Sequence, residues 1–148
     1  MRSLALAAVA VACVVAAAAC TDVRDYAGTW RGARVGDAAP LRVGVASDAT
    51  ATLAIARIDR HGLAGALDVD GLVADAAVTS LEGAEADALA GMSFDGAPLR
   101  VYLAFVATTD GGGDALAVIA IFDDDRVELR LLRGGAAPLY GVFALARS

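Results

Sequence analysis

The rhythm of apolar and polar positions changes once along the chain, at Cys20. Residues 4–19 form an unbroken apolar run behind the short positive head Met1-Arg2-Ser3. Beyond it, short apolar segments are separated by clusters of Gly, Asp and Pro, the pattern of successive antiparallel strands joined by turns. Residues 28–35 read as a first strand and residues 36–40 as its turn. Leu41, Val43 and Val45 alternate with Arg42, Gly44 and Ala46, which predicts a second strand with one apolar face. Residues 50–59 carry Leu53 and Ile55 on one face, Leu63, Leu67 and Val69 follow, and Asp70-Gly71 is a strong hairpin turn signal.

The middle of the chain admits two readings. Residues 72–80 have the composition of a strand, but Thr79-Ser80-Leu81-Glu82 has the spacing of a helix capping box and residues 84–90 are rich in helix formers. Gly83 and Gly91 oppose a helix at about 1 kcal/mol each. Ala86, Ala88, Ala90, Met92 and Phe94 alternate up to Asp95-Gly96, so a strand is preferred for residues 80–91. Later, Leu99, Val101, Leu103, Phe105 and Ala107 alternate with Arg100, Tyr102, Ala104, Val106 and Thr108. Residues 115–122 are apolar on both faces, as in a strand with little water on either side. Asp123-Asp124-Asp125 turns the chain, Val127, Leu129 and Leu131 oppose Arg126, Glu128 and Arg130, and residues 138–147 make the last strand after Gly134-Gly135. The expected fold is all-β: one antiparallel up-and-down meander of about 8–10 strands, closed into a barrel because an open sheet would leave two sticky edges. Small residues at inward positions suit the narrow interior of such a barrel.

The leader sets the address. Its apolar run is too short to span a bilayer and ends in small residues before a polar chain, which is the form of a secretory signal. Ala17-Ala18-Ala19-Cys20 resembles the signals of bacterial lipoproteins, in which small and aliphatic residues stand immediately before a cysteine. The resemblance implies cleavage before Cys20, lipidation of its thiol and attachment to the membrane through acyl chains. Ordinary cleavage nearby would instead release a soluble protein with a free thiol. Cys13 lies inside the apolar run and leaves with the leader. The expected division is a signal peptide over residues 1–19, a lipidated N-terminus and tether over 20–26, and a barrel domain over 27–148. Loss of residues 1–19 from the 148 leaves 129, enough for one core, and no cysteine follows Cys20 to form an internal disulfide.

Composition narrows the function classes. The formal net charge is −6 and becomes one unit more negative when Arg2 leaves with the leader. No basic stripe exists to neutralise phosphates, so nucleic acid is disfavoured as a partner. An acidic domain also gains nothing from anionic headgroups, so membrane attachment rests on the lipid. His61 is the sole histidine and sits in a turn, which is too little for a nucleophilic triad or a zinc site, and an enzyme is not expected. No cofactor is implied. The acidic turns lack the spacing and distal Glu of a calcium loop, and residues 123–125 alone merit a test as a weak cation site. Gly111 to Gly113 and Gly134-Gly135 lack the Lys of a phosphate loop and read as turns.

Gly28-Thr29-Trp30 in the first strand, with Arg147 late in the last, resembles the calycin barrels: lipocalins, fatty-acid-binding proteins and avidins. The resemblance implies that the guanidinium of Arg147 packs across the indole of Trp30 at the closed end, where first and last strands are neighbours. It also implies a small apolar ligand in the open mouth. The alternative is a barrel with a filled core that engages another envelope protein, through outward hydrophobics such as Tyr102, Val106, Leu132 and Tyr140. Thr21, where an Asp would hold a lipoprotein at the inner membrane, points toward the outer membrane.

Overall fold

The computed structural model describes residues 22–35, 44–82 and 92–148. A 3₁₀ turn, Val23–Tyr26, precedes eight strands: β1 (Gly28–Ala33), β2 (Thr50–Ile58), β3 (Leu63–Val69), β4 (Val73–Thr79), β5 (Arg100–Val106), β6 (Ala115–Ile121), β7 (Val127–Arg133) and β8 (Leu139–Arg147). Every ladder is antiparallel, and the order is β4-β3-β2-β1-β8-β7-β6-β5. Strands adjacent in sequence are therefore adjacent in space, and β1 meets β8 to curl the sheet into a nearly closed up-and-down barrel. At the remaining seam, two backbone hydrogen bonds among the described residues tie the edges: Leu81 N–H to the Leu103 carbonyl at 2.7 Å and Thr109 N–H to the Leu72 carbonyl at 2.8 Å.

Period-2 patterning explains most of the strands. Ala51, Leu53 and Ile55 point inward from β2, Val127, Leu129 and Leu131 from β7, and Leu139, Phe143 and Leu145 from β8. One contiguous buried cluster joins these to Trp30, Leu67, Val78 and Ile119. A small inner radius demands small residues at some positions, and Ala51, Ala104, Ala115 and Ala117 fill them with no more than a trace of exposure. The Asp70-Gly71 turn forms where its sequence predicts, with Gly71 at φ +68° and Leu72 N–H donating to the Val69 carbonyl at 2.9 Å.

Three expectations change. Residues 44–46, the described part of the predicted second strand, form a bend, and residues 41–43 lie outside the described residues. Residues 80–82 and 92–94 belong to no strand, and residues 83–91, where a strand was preferred over a helix, lie outside the described residues. The third change is the phase of β5. Tyr102 and Val106, expected outward, are buried at 5% and 1% exposure, while Phe105 faces out at 58%. Both faces of this segment are apolar, so alternation gives its period and leaves its sign open. Chemistry inside the barrel decides the sign: the Tyr102 hydroxyl reaches the Asp59 carbonyl at 2.6 Å, and Ala104 fits the crowded interior.

Candidate functional site

The end of the barrel where the chain enters is floored by aromatic residues. Asp22 caps the 3₁₀ turn by accepting from Arg24 N–H at 3.0 Å, and the turn delivers Tyr26 under the barrel. Residues 23–26, expected as part of the tether, are thus folded against the core, because Tyr26 is fully buried. Its ring stacks on Trp30, centroids 5.3 Å apart and planes 12° from parallel. The Trp30 indole N–H donates to the Tyr26 carbonyl at 2.8 Å, and the Tyr26 hydroxyl donates to the Phe122 carbonyl. Burial raises the Tyr26 pKa, which keeps that hydroxyl a donor.

Arg147 lies over the outer face of this stack. Its guanidinium carbon is 4.6 Å from the Trp30 ring centroid, and it donates to the carbonyls of Asp25 at 2.6 Å and Ala27 at 3.1 Å. Trp30 and Arg147 are directly paired in the β1–β8 ladder. The two side chains singled out in the sequence are therefore brought together. Tyr26, which completes the stack, carried only the signal of a lone aromatic in a polar segment.

The opposite rim is held by Arg133, which the sequence marks only as a strand-end residue. Its guanidinium donates to Asp110 at 2.5 and 3.0 Å, to Thr108 Oγ1 at 2.8 Å, and to the carbonyls of Gly113 and Ala137 at 3.0 and 2.7 Å. One fork thereby ties the β5–β6 loop to β7 and to the β7–β8 turn, a task for which a planar guanidinium is suited and a point charge is not. These donated bonds hold the Asp110 carboxyl well below the usual aspartate range, the Arg133 contact being the largest cause. At the floor, burial is the main cause that pushes Tyr102 up to about 12.

The remaining candidates are dispersed. Cys20 lies outside the described residues. His61 sits in the exposed β2–β3 turn, its Nε2 accepting from Arg60 Nε at 2.9 Å and its backbone N–H bound by Asp59 at 2.7 Å. That bonding shapes a turn, and Ser80, which lines the same cleft as His61, has its Oγ engaged by Leu63 N–H at 2.9 Å. The Asp123–Asp125 turn closes the β6–β7 hairpin with Asp125 at φ +56° and Asp124 paired to Arg126 at 3.4 Å. Among the described residues, no three His, Cys, Asp or Glu side chains converge as metal donors.

Clefts among the described residues open on the outside of the barrel. One of about 440 Å³ lies on the outer face against Phe105, Leu116 and Leu132, and one of about 390 Å³ lies between Val23, Arg24 and the Asp59–His61 turn. No protein-family model, curated protein or solved structure matches the chain.

Replacing Arg147 with Ala should cost about 1–2 kcal/mol in denaturant unfolding, through the lost cation–π contact and the two carbonyls left without a charged donor. Trp30 emission should move to longer wavelength in the folded state, and Arg147→Lys should recover part of the loss at most. At the rim, Asp110→Asn should lower the melting temperature at pH 6–7. A depressed folded-state pKa contributes stability above the unfolded-state value of about 3.9 and loses it below. The gap between wild type and Asp110→Asn should therefore be constant above about pH 5 and shrink as pH falls below about 4.

Proposed function

We propose that the protein is a lipid-anchored, non-enzymatic lipoprotein of the cell envelope whose calycin-like barrel acts through its outer surface, toward another envelope protein. The observation that carries this reading is the filled interior. Trp30, Leu53, Leu67, Ile119, Leu129 and Phe143 each have no measurable exposure and belong to one cluster, so apolar atoms already occupy the described inward positions. A barrel that stores a small apolar ligand needs a cavity of a few hundred Å³ lined by such positions. Three clefts among the described residues lie on the outer surface.

The anchor is supported by the placement of Ala17-Ala18-Ala19-Cys20. Asp22, the cap of the 3₁₀ turn, is two residues beyond Cys20, a reach of about 7 Å of extended chain. A lipid on Cys20 would hold the floor against the bilayer and turn the Arg133 rim away from it. Thr21 after the cysteine favours the outer membrane in a two-membrane cell.

Substitution Cys20→Ser should move the protein from the membrane to the soluble fraction while leaving its far-ultraviolet dichroism unchanged, and should abolish labelling by a fatty-acid precursor. Membrane association that survives this substitution would overturn the anchor.

A further inference from the structure

The outer face of β5 to β8 is ordered in rows that the floor and rim do not explain. Across the ladders, Phe105, Leu116, Leu132 and Tyr140 are direct neighbours in one row, and Leu103, Val118, Arg130 and Val142 in the next. The chain itself covers the second row. Met92 and Phe94 pack on Leu103 and Val118. Arg130 lies 4.4 Å over the Phe94 ring and donates to the Ser93 carbonyl at 2.7 Å, while Arg126 donates to the Asp95 carbonyl at 2.7 Å. This is a segment laid on a sheet face, anchored by apolar side chains two residues apart and held by its carbonyls.

The first row continues the same surface, with Leu116, Leu132 and Tyr140 half-buried and Phe105 exposed. Phe105 is 58% exposed, and the cleft beside it has a volume of about 440 Å³ with Asp114 at its edge. Three inter-strand steps make this row about 14 Å long, the distance between positions i and i+4 of an extended peptide. Its charged lining is Asp114 and Arg133. Arg133 also lines the cleft, but its guanidinium is committed to Asp110, Thr108 and two loop carbonyls. Asp114 is exposed, so its carboxylate is the charge this cleft presents to a partner.

We propose that this cleft docks an extended segment of another polypeptide, with large apolar side chains at alternate positions and Arg or Lys between them. The proposal rests on the outer-face reading above and adds the chemistry of the partner. Charge complementarity selects this occupant: a second copy would bring Asp114 and the acidic rim against their own like, and an anionic bilayer would be repelled by the same edge. The apolar row supplies contact area, and Asp114 sets the sign of what binds.

The test uses two labelled peptides, acetylated Phe-Arg-Leu-Arg-Phe amide and its counterpart with Glu in place of Arg, followed by fluorescence anisotropy. The exported chain is taken as the cell makes it, in phosphatidylcholine nanodiscs if it fractionates with membranes and in buffer if it does not, so loss of the anchor leaves the test intact. The Arg peptide should bind at least about tenfold more tightly than the Glu peptide, and Phe105→Ser should weaken it by about the same factor. Asp114→Arg should narrow or reverse the preference, and Ala54→Ser on β2, across the barrel, should change nothing. Melting curves within a few degrees of wild type certify that each variant is folded. Equal binding of the two peptides would overturn the proposed chemistry while leaving the outer-face reading standing. Failure of both to bind, or binding indifferent to Phe105→Ser, would overturn the proposal. So would a concentration-dependent dimer abolished by Phe105→Ser, or Phe105-dependent binding of the unanchored Cys20→Ser chain to phosphatidylglycerol vesicles.

Discussion

Trp30 stacks on Tyr26 and carries the Arg147 guanidinium over its ring, and the closure of the barrel passes through that contact. The first and last strands of a meander meet only after the whole chain has folded between them, so their ladder closes the longest loop in the molecule. Direct pairing is recorded at Trp30–Arg147 and Arg31–Ala146, with an isolated bridge further on at Arg34–Phe143. Around it, side chains supply what the ladder lacks. Tyr26 ties the entry turn to the β6–β7 hairpin through the Phe122 carbonyl, and Arg147 ties the end of β8 back to Asp25 and Ala27. Each of these contacts spans most of the sequence, so local stability at the floor depends on the integrity of the entire sheet.

The two ends of the barrel are held by different chemistry. Aromatic stacking and buried hydroxyls form the floor, whereas the rim depends on one ion-paired arginine fork that stays charged well into acid. The sheet between them is asymmetric too. Outward positions on β1 to β4 are largely polar, small or exposed, while those on β5 and β6 are apolar and partly covered by Met92 and Phe94. The described inward positions are packed with apolar side chains, and the outer face of β5 and β6 departs from the usual polar exterior.

Much of this architecture is legible in the sequence because alternation and turn chemistry agree. The Asp70-Gly71 hairpin, the inward set of β7 and the two-faced apolarity of β6 each follow from side-chain spacing alone. Where both faces are apolar, spacing loses its sign: residues 99–107 give the right strand and the wrong face, and the correct one depends on an acceptor for Tyr102 that comes from the distant turn at Asp59. Gly44 to Ala46 show the opposite failure, since alternation there is present but yields a bend beside β8 and no ladder. Trp30 and Arg147 could be singled out because a closed meander must bring its ends together. Tyr26 and Arg133 could not, since their partners are carbonyls and loop residues that no local pattern marks.

The proposed outer-face role requires an interior that takes up no small apolar molecule. Trp30 sits at the floor of that interior and is the only tryptophan in the chain, so its fluorescence, followed with the melting temperature while fatty acids and a hydrophobic dye are titrated, reports on the interior directly. Neither saturable quenching nor a rise in melting temperature is expected. Saturable quenching accompanied by stabilisation would place a ligand inside the barrel and overturn that role.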